Sequence, residues 1–379
     1  MVKQALRKIK VAIVVNDLAL GGVQRLVIDQ LQILDRSLFD MSLVVLRPVE
    51  GKANFYGSVP QDIPVFKLDF KSLLDARSWL RLIRVFGTLR PDVVKSSLFF
   101  SNTICRVLKP LFGYVCIAAE HNTDHIKSRA QMFLNRLLMR VTYTTVVDSE
   151  RVAEYLSTTE HIGRDKFTVI YNGVDTEMIV KDVQSLGPQR DAIRMQIGVS
   201  PSSRVFLTVS RLVAQKNHKL MLDAFAKVAR HVDEVRLLIV GDGALMTELR
   251  TRARELGIAG SVVFVGEHSE THRFYIAGDY FILTSRHEGF CIAAMEGLAF
   301  GMPLISTRVA GVSEYLRDGR NGFFVGPDPD DVAKKMERVL ALSPEERKAF
   351  ATEARKTAGE YSLERFKAAY EHLLARCVQ

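Results

Sequence analysis

Residues 280–307 read YFILTSRHEGFCIAAMEGLAFGMPLIST. The apolar run YFILTS (280–285) reads as a strand, Phe290 onward takes a helical period, and PLIST (303–307) reads as the next strand. Strand, helix and strand in so short a stretch make a βα unit of a parallel sheet. The alternation extends toward the N-terminus through RVFLTVS (204–210), VRLLIV (235–240) and SVVFVG (261–266). Earlier strands are KVAIVV (10–15), MSLVVL (41–46), PVFKL (64–68), DVVKS (92–96), VCIAAE (115–120), YTTVV (143–147) and FTVIY (167–171). Helical patterns lie near 23–34, 74–89, 100–109, 127–140 and 150–158, and a helical tail runs from about 330 to 376. After Val180 the pattern weakens in KDVQSLGPQRDAIRMQIGVSPSSR (181–204), which reads as a linker with a short helix. The expected class is α/β, with two doubly wound domains, 1–180 and 181–362, facing a cleft. Ligands of such sheets bind at the carboxyl ends of the strands.

The composition excludes several classes. A length of 379 residues suits two domains, and 47% hydrophobic with 25% charged residues is ordinary globular usage. The longest uncharged stretch, Gly297–Thr307, is too short to span a membrane. The apolar run Val11–Val15 behind the basic N-terminus is too short for the core of a signal peptide, so a cytoplasmic location is expected. Cys105, Cys116, Cys291 and Cys377 are scattered without a CxxC pair, which suggests neither a disulfide framework nor a zinc site. The net charge is +9, and residues 61–140 hold 13 basic against 6 acidic residues. Charge of that kind suits acidic substrates or anionic lipid. No motif that reads nucleic acid accompanies it, so no nucleic-acid partner is expected.

The candidate chemistry stands just after strands. Glu288 follows YFILTS, Gly289 permits close backbone approach, and a helix N-terminus presents free N–H groups to an anion. Glu296, two turns further on, offers a bidentate acceptor for hydroxyls. The pair also fits a blander description, with Glu288 a helix-capping acid and Glu296 a solvated surface residue. Arg211 ends a strand, and Lys216 precedes a helix that Asn217 is placed to cap; two such cations clamp a diphosphate without metal. Gly241 and Gly243 flank Asp242 in a strand-to-helix turn whose amides suit a phosphate or a base, although neither a GxGxxG nor a P-loop pattern is present. Gly21 and Gly22 open a helix after the first strand, as an anion site or simply as a tight turn. His121 follows VCIAAE, where an active-site side chain would project as a neutral imidazole. His121 and His125, with Asp124, and His268 with His272, have metal-like spacing but lack further ligands, so no metal is expected.

Taken together and in order, the GG turn, His121, VVDSERVAEYL, VIYNGVDTEMI, VSRLVAQKN, LLIVGDG, FVGEH, SRHEGFCIAAMEGLAFGMPLIST and DGRNGFFV resemble the family-4 retaining glycosyltransferases of the GT-B fold. The E-x7-E spacing of Glu288 and Glu296 matches that family, and the resemblance covers most of the chain. It implies a nucleoside-diphosphate sugar donor, with uridine favoured, held without metal or other cofactor. Arg211 and Lys216 would bind the diphosphate and Glu296 the ribose. The amides of Gly289, Phe290 and Cys291 would meet phosphate and sugar, with Glu288 on the hexose. By the same resemblance, Gly21 and Gly22 close over the phosphates, Gly241 and Gly243 line the donor site, and the base lies near Val265, Gly266 and Glu267. His121 would sit by the reacting carbon, and the segment 363–379 would pack back on the first domain. Cys291 departs from the glycine or proline usual after the phenylalanine.

On the acceptor side, Arg77, Arg81 and Arg84 recur beside the apolar set Trp79, Ile83 and Phe86. Arg129, Arg136 and Arg140 likewise accompany Phe133, Leu134, Leu137 and Leu138. Basic amphipathic helices lie on anionic lipid, and they also occur with the apolar side in the core and the arginines solvated. A glycan or lipid-linked acceptor, handled at the inner membrane face in polysaccharide or lipopolysaccharide synthesis, is the expectation. A GT-B epimerase or phosphorylase is the rival among enzymes, and a non-catalytic scaffold the rival outside them.

Overall fold

The computed structural model describes residues 7–49, 53–121 and 127–379. They divide into two compact units, Met1–Asn172 with Glu364–Gln379, and Gly173–Leu363. Each is a Rossmann-like α/β domain with a parallel sheet.

The first unit holds β1 (Ile9–Val15), β2 (Phe39–Val45), β3 (Val65–Lys67), β4 (Val93–Ser97), β5 (Val115–Glu120), β6 (Thr144–Val147) and β7 (Phe167–Val169), in the order β3-β2-β1-β4-β5-β6-β7. The strand order reverses between β1 and β4, the usual place for a ligand crevice. Val11 to Val15 are all buried, because a central parallel strand has helices on both faces and so reads as an unbroken apolar run. On one face the helices Ala76–Leu89 and Phe99–Phe112 set Leu82, Phe86, Ile104 and Leu108 against Ala12, Val14, Val44 and Val94. The last helix, Leu363–Arg376, buries Phe366, Tyr370, Leu373 and Leu374, and its Glu371 accepts the Asp35 backbone N–H at 2.9 Å.

The second unit holds β8 (Arg204–Val209), β9 (Val235–Val240), β10 (Val262–Gly266), β11 (Tyr280–Leu283), β12 (Leu304–Thr307) and β13 (Gly322–Val325), in the order β10-β9-β8-β11-β12-β13. Here the order reverses between β8 and β11, which pair through Phe206 with Tyr280 and Leu207 with Phe281. The helices His218–Ala229, Met246–Glu255 and Pro329–Leu340 pack one continuous apolar core against this sheet.

Three sequence expectations change. The strand β13 was not expected, since GFFV is short and opens on a glycine. Gly322 faces Leu304 across the β12 pairing, and a Cβ there would lie 2.0 Å from the Leu304 carbonyl oxygen, so the pairing demands glycine. The segment read as a linker after Val180 is mostly helix, Thr176–Leu186 and Arg190–Gln196, and the units divide at Asn172–Gly173. Buried Arg194 ties it down by donating to the carbonyls of Ala277, Pro201 and Ser203 and to the Asp279 carboxylate. The helical tail is three helices, with Ser343 and Glu346 forming a reciprocal capping box that restarts the chain at Pro344.

Gly322→Ala should therefore cost about 2–3 kcal/mol, the upper part of the range for single substitutions. Gly87→Ala, on an exposed stretch of the helix Ala76–Leu89 with nothing within 4 Å of the added carbon, should instead stabilise by about 0.5–1 kcal/mol. Thermal unfolding of both variants beside the parent checks the pair of signs.

Candidate active site

In the second unit, four loops gather at the carboxyl ends of β8, β9, β10 and β11. After β8 the chain makes a 3-10 turn, Ala214–Lys216, and passes Asn217 in the left-handed region before the helix His218–Ala229. Asn217 occupies the N-cap position, yet its side chain makes no capping bond, contrary to the sequence reading. Buried His218 stands 3.0 Å from the Ser210 hydroxyl, and burial, with Lys216 nearby, pushes its pKa down to about 4.

Lys216 reaches across to the loop after β11. Its Nζ lies 2.5 Å from Glu288 Oε1, the same oxygen that accepts the Ser285 hydroxyl at 2.6 Å. Glu288 is only 6% exposed. Burial disfavours charge on Lys216, but the Glu288 carboxylate outweighs it and the ammonium's pKa rises. The two loops are laced further: Arg286 N–H donates to Gln215 O at 2.8 Å, the Gln215 side chain donates to His287 O at 2.8 Å, and Thr284 donates to Asn217 O at 3.1 Å. An ammonium has three donors. The one spent on Glu288 leaves two, and Oε2 of Glu288 remains to accept from another group. Arg211 is exposed and makes no ion pair among the described residues.

The helix after this loop runs Ile292–Ala299, two residues later than expected, with Cys291 at its N-cap and no side-chain cap. Glu288 is thus not a helix-capping acid. Phe290 is buried against Tyr315 and Tyr361, with centroids at 5.3 and 5.4 Å. The Tyr315 hydroxyl stands 2.9 Å from the Phe290 carbonyl and 3.3 Å from that of Cys291. In a trans peptide the N–H points opposite the C=O. The amides of Cys291 and Ile292 therefore face away from Tyr315, side by side, at the positive end of the helix. Cys291 holds φ 62°, a strain of about 1–2 kcal/mol for an L-residue. That φ suits glycine and excludes proline, whose ring fixes φ at about −65°. Burial, with Glu288 adding, pushes the Cys291 thiol up to about 12, so it stays protonated. Glu296 is no solvated residue either: the Tyr275 hydroxyl donates to its Oε2 at 2.8 Å.

The Gly-Asp-Gly turn reads differently in three dimensions. A Cβ on Gly241 would lie 2.0 Å from Ser210 O, and one on Gly243 would lie 2.5 Å from Leu212 O. The Gly241 N–H goes to Gly266 O at 2.7 Å and the Gly243 N–H to the Asp242 carboxylate at 2.6 Å. These amides are engaged within the protein, and both glycines answer to loop packing. Gly266 has φ 83° at a β-bulge, the Val265 carbonyl faces His268 Nε2 at 3.1 Å, and Glu267 is exposed. His268 and His272 serve different partners, since His272 Nδ1 binds Asp182 at 2.5 Å. Among the described residues, no three His, Cys, Asp or Glu side chains converge to hold a metal.

The first unit supplies the remaining candidates. Gly22 opens the helix Gly22–Ile33 after β1, no side chain caps this helix, and a Cβ on Gly22 would meet nothing within 4 Å. Gly21 is extended, and its added Cβ would press only on the movable end of Gln24. A tight turn explains neither glycine. His121 follows β5 with its side chain 6% exposed, Nδ1 3.8 Å from Asp148 Oδ2, and neither ring nitrogen hydrogen-bonded among the described residues. Beside it, Lys127 bridges Glu160 at 2.7 Å and Glu120 at 3.2 Å, all three buried. Asp124 and His125 lie outside the described residues. Sequence reading missed Ser285, Tyr275, Tyr315 and Gly311. Of these, only Gly311 left a signal, a glycine soon after a strand; its Cβ would fall 1.9 Å from Gly289 O.

Comparison with known proteins follows the same division. The family model described as Glycosyltransferase Family 4 matches residues 20–178, and that described as Glycosyl transferases group 1 matches residues 189–357. The chain is family-4-like, on the GT-B fold. It is 31% identical over 183 residues to the lipopolysaccharide core biosynthesis glycosyltransferase LpsE of Rhizobium meliloti, covering 48% of this chain and 53% of that protein. A UDP-Gal:alpha-D-GlcNAc-diphosphoundecaprenol alpha-1,3-galactosyltransferase of Escherichia coli is 24% identical over 84% of each chain. The crystal structure of Anabaena HepE with UDP-glucose superposes on this family-4-like chain with a TM-score of 0.83 at 19% sequence identity, covering 97% of this chain and 99% of the other. The chain spans about half the length of the first curated relatives it matches.

The pKa of His218 yields a test. An unfolded histidine takes up its proton near pH 6.5, whereas the folded one resists until about 4. The unfolded state therefore binds more protons in that window, and stability should fall as the pH drops from 6.5 to 4, by up to about 3 kcal/mol. Urea unfolding at stepped pH should show this slope in the parent and a flatter one in His218→Gln.

Proposed function

We propose that the protein is a retaining glycosyltransferase that moves a hexosyl group from a UDP-sugar to a glycan or lipid-linked acceptor in cell-surface polysaccharide or glycolipid synthesis. The observation that carries this reading is the Lys216–Glu288 pair beside the uncapped helix start at Cys291 and Ile292. A cation with N–H groups to spare and two parallel amides suit a diphosphate, and a buried carboxylate with one open oxygen suits a sugar hydroxyl. The UDP-glucose complex of HepE and the UDP-Gal donor named for the Escherichia coli relative support the choice of nucleotide.

In the proposed reaction the bond between the anomeric carbon and the diphosphate oxygen breaks, and its electron pair leaves with UDP. Arg211, Lys216 and the amides of Cys291 and Ile292 at the helix start stabilise the charge gathering there, and the amides of Gly289 and Phe290 lie toward the phosphate and sugar. The acceptor hydroxyl attacks from the same face and passes its proton to the departing phosphate oxygen, so the anomeric configuration is kept. Glu288 orients the hexose and is not a nucleophile. Glu296 takes the ribose hydroxyls, and the base lies by Val265, Gly266 and Glu267, with Gly241 and Gly243 shaping the floor. Gly21 and Gly22 offer the amides of their helix to the phosphates, and His121 offers a ring nitrogen to the sugar. No divalent metal takes part.

A thermal-shift series with UDP, GDP, ADP and their sugars, with and without EDTA, tests this. UDP should stabilise selectively, EDTA should make no difference, and Gly22→Ala should keep its own melting temperature while losing about 1 kcal/mol or more of nucleotide binding. Indifference to every nucleotide would point to a scaffold, and isomerisation of a free sugar nucleotide without acceptor to an epimerase.

A membrane-associated acceptor draws on one further observation. In the helix Ala76–Leu89 the apolar side is core, with Phe86 buried, and the arginines are solvated. The helix Arg129–Leu138 is different, since Phe133 is 67% and Leu137 47% exposed, beside exposed Arg129, Arg136 and Arg140. Val107 and Leu111 of the helix Phe99–Phe112 are exposed too. No described helix is long and apolar enough to cross a membrane. The proposed contact is peripheral, with apolar side chains in the interface and arginines on anionic headgroups. Sedimentation with phosphatidylglycerol vesicles should exceed that with phosphatidylcholine, weaken with salt, and fall at least severalfold in the Phe133→Ser/Leu137→Ser variant; equal sedimentation in every case rejects the contact.

A further inference from the structure

We infer that Tyr275 and His272, the latter locked by Asp182, are positioning residues that hold the Glu296 carboxylate for the ribose of the donor nucleotide. The inference rests on the proposed role of Glu296 and extends it to three residues that no motif singled out for that task.

Tyr275 cannot easily move. Its ring lies between Phe281 and Phe300, stacked within 7° of parallel on both, with centroids at 5.9 and 5.0 Å. Burial, reinforced by the Glu296 charge, raises the phenol's pKa well above its ordinary value, so the hydroxyl keeps its proton and acts as a donor. The hydroxyl donates a hydrogen bond to Glu296 Oε2 at 2.8 Å and stands 3.0 Å from the Ala293 carbonyl. One carboxylate oxygen is thereby fixed, and with it the plane of the group. Oε1 is left as the acceptor for a ligand.

His272 closes the other side. Its Nδ1 lies 2.5 Å from Asp182 Oδ2, which sets the ring's orientation and turns Nε2 toward Glu296 Oε1, 4.0 Å away. The ring also packs edge-on against Phe300 at 5.3 Å. A separation of 4.0 Å is too long for a hydrogen bond. It sets the imidazole as a wall beside Oε1, limiting the directions from which a hydroxyl can approach. Asp182 belongs to the helix Thr176–Leu186, whose sequence reads as a linker. That helix thus reaches the ribose carboxylate through a single imidazole. A carboxylate free to rotate would lose part of its binding to ordering, whereas one held at Oε2 and walled beside Oε1 has already met much of that cost.

Calorimetric titration with UDP and with 2′-deoxy-UDP, on the intact protein and on Tyr275→Phe, His272→Gln, Asp182→Asn and Glu296→Gln, separates the outcomes. The parent should prefer UDP by about tenfold or more, the worth of a hydrogen bond to a charged group. Tyr275→Phe and His272→Gln, like Glu296→Gln, should bring that preference to within about threefold, while melting temperatures stay near the parent's. Asp182→Asn should fall between, and it carries the test if Tyr275→Phe fails to fold. A parent that prefers UDP alongside variants that keep the full preference overturns the positioning role alone. A parent indifferent to the 2′-hydroxyl overturns both this inference and the ribose role of Glu296.

Discussion

The ion pair between Lys216 and Glu288 is the contact on which the candidate site depends. Two charges taken from water lose more than their attraction returns unless the remaining lone pairs and protons are satisfied. Here Ser285 shares Oε1, and the surrounding backbone is laced by Gln215, Thr284 and Arg286. Removing one partner would strand the other charge in a nearly dry pocket. The pair exists only because β8 and β11, far apart in sequence, lie side by side where the strand order reverses. The loop that carries a cation and the loop that carries a carboxylate are brought together by the topology of the sheet.

Beside that pair the backbone does as much as the side chains. Phe290 and Tyr315 hold the start of the helix Ile292–Ala299, and two carbonyls turned to the tyrosine hydroxyl leave two amides turned away from it. Cys291 bears the left-handed geometry this requires. The glycines divide by physical role. Gly241, Gly243, Gly311 and Gly322 are places where another backbone comes too close for any Cβ. Gly22 has open space before it and an uncapped helix behind it, and no neighbouring atom of the fold requires its smallness.

The first unit places charge where a core would normally be apolar. Lys127, Glu120 and Glu160 form a buried cluster next to His121, and Arg106 is buried nearby, donating to Asn135 and Thr145. Such a network is stable only when nearly every member is satisfied, and here Lys127 is shared between two carboxylates at the end of β5. Beside that cluster His121 has two ring nitrogens free of hydrogen bonds among the described residues.

Much of this was legible from residue order. Short apolar runs such as VAIVV and LLIV, alternating with segments of helical period, read as buried parallel strands, and that alternation determined two Rossmann-like domains. Glu288, Lys216 and His121 were singled out because each stands in the loop after a strand, where such folds expose their chemistry, and Glu296 because it follows Glu288 by two helical turns. What the chain alone left open needed distances between remote residues. The brevity of GFFV hid β13 until Gly322 was seen to meet Leu304, and the polar stretch after Val180 hid two helices until Arg194 was seen to anchor them. Gly-Asp-Gly resembled a ligand turn until its amides were seen to be spent. Tyr275, Tyr315 and Asp182 carry no local pattern, since their roles come from hydrogen bonds across 21 to 90 residues of chain. Periodicity records which face a residue turns to its own element, and so the sequence determined the strands, the helices and the loops that bear the candidates. Only the tertiary structure decided which of those loops touch, because contact between distant segments is set by the strand order of the sheet.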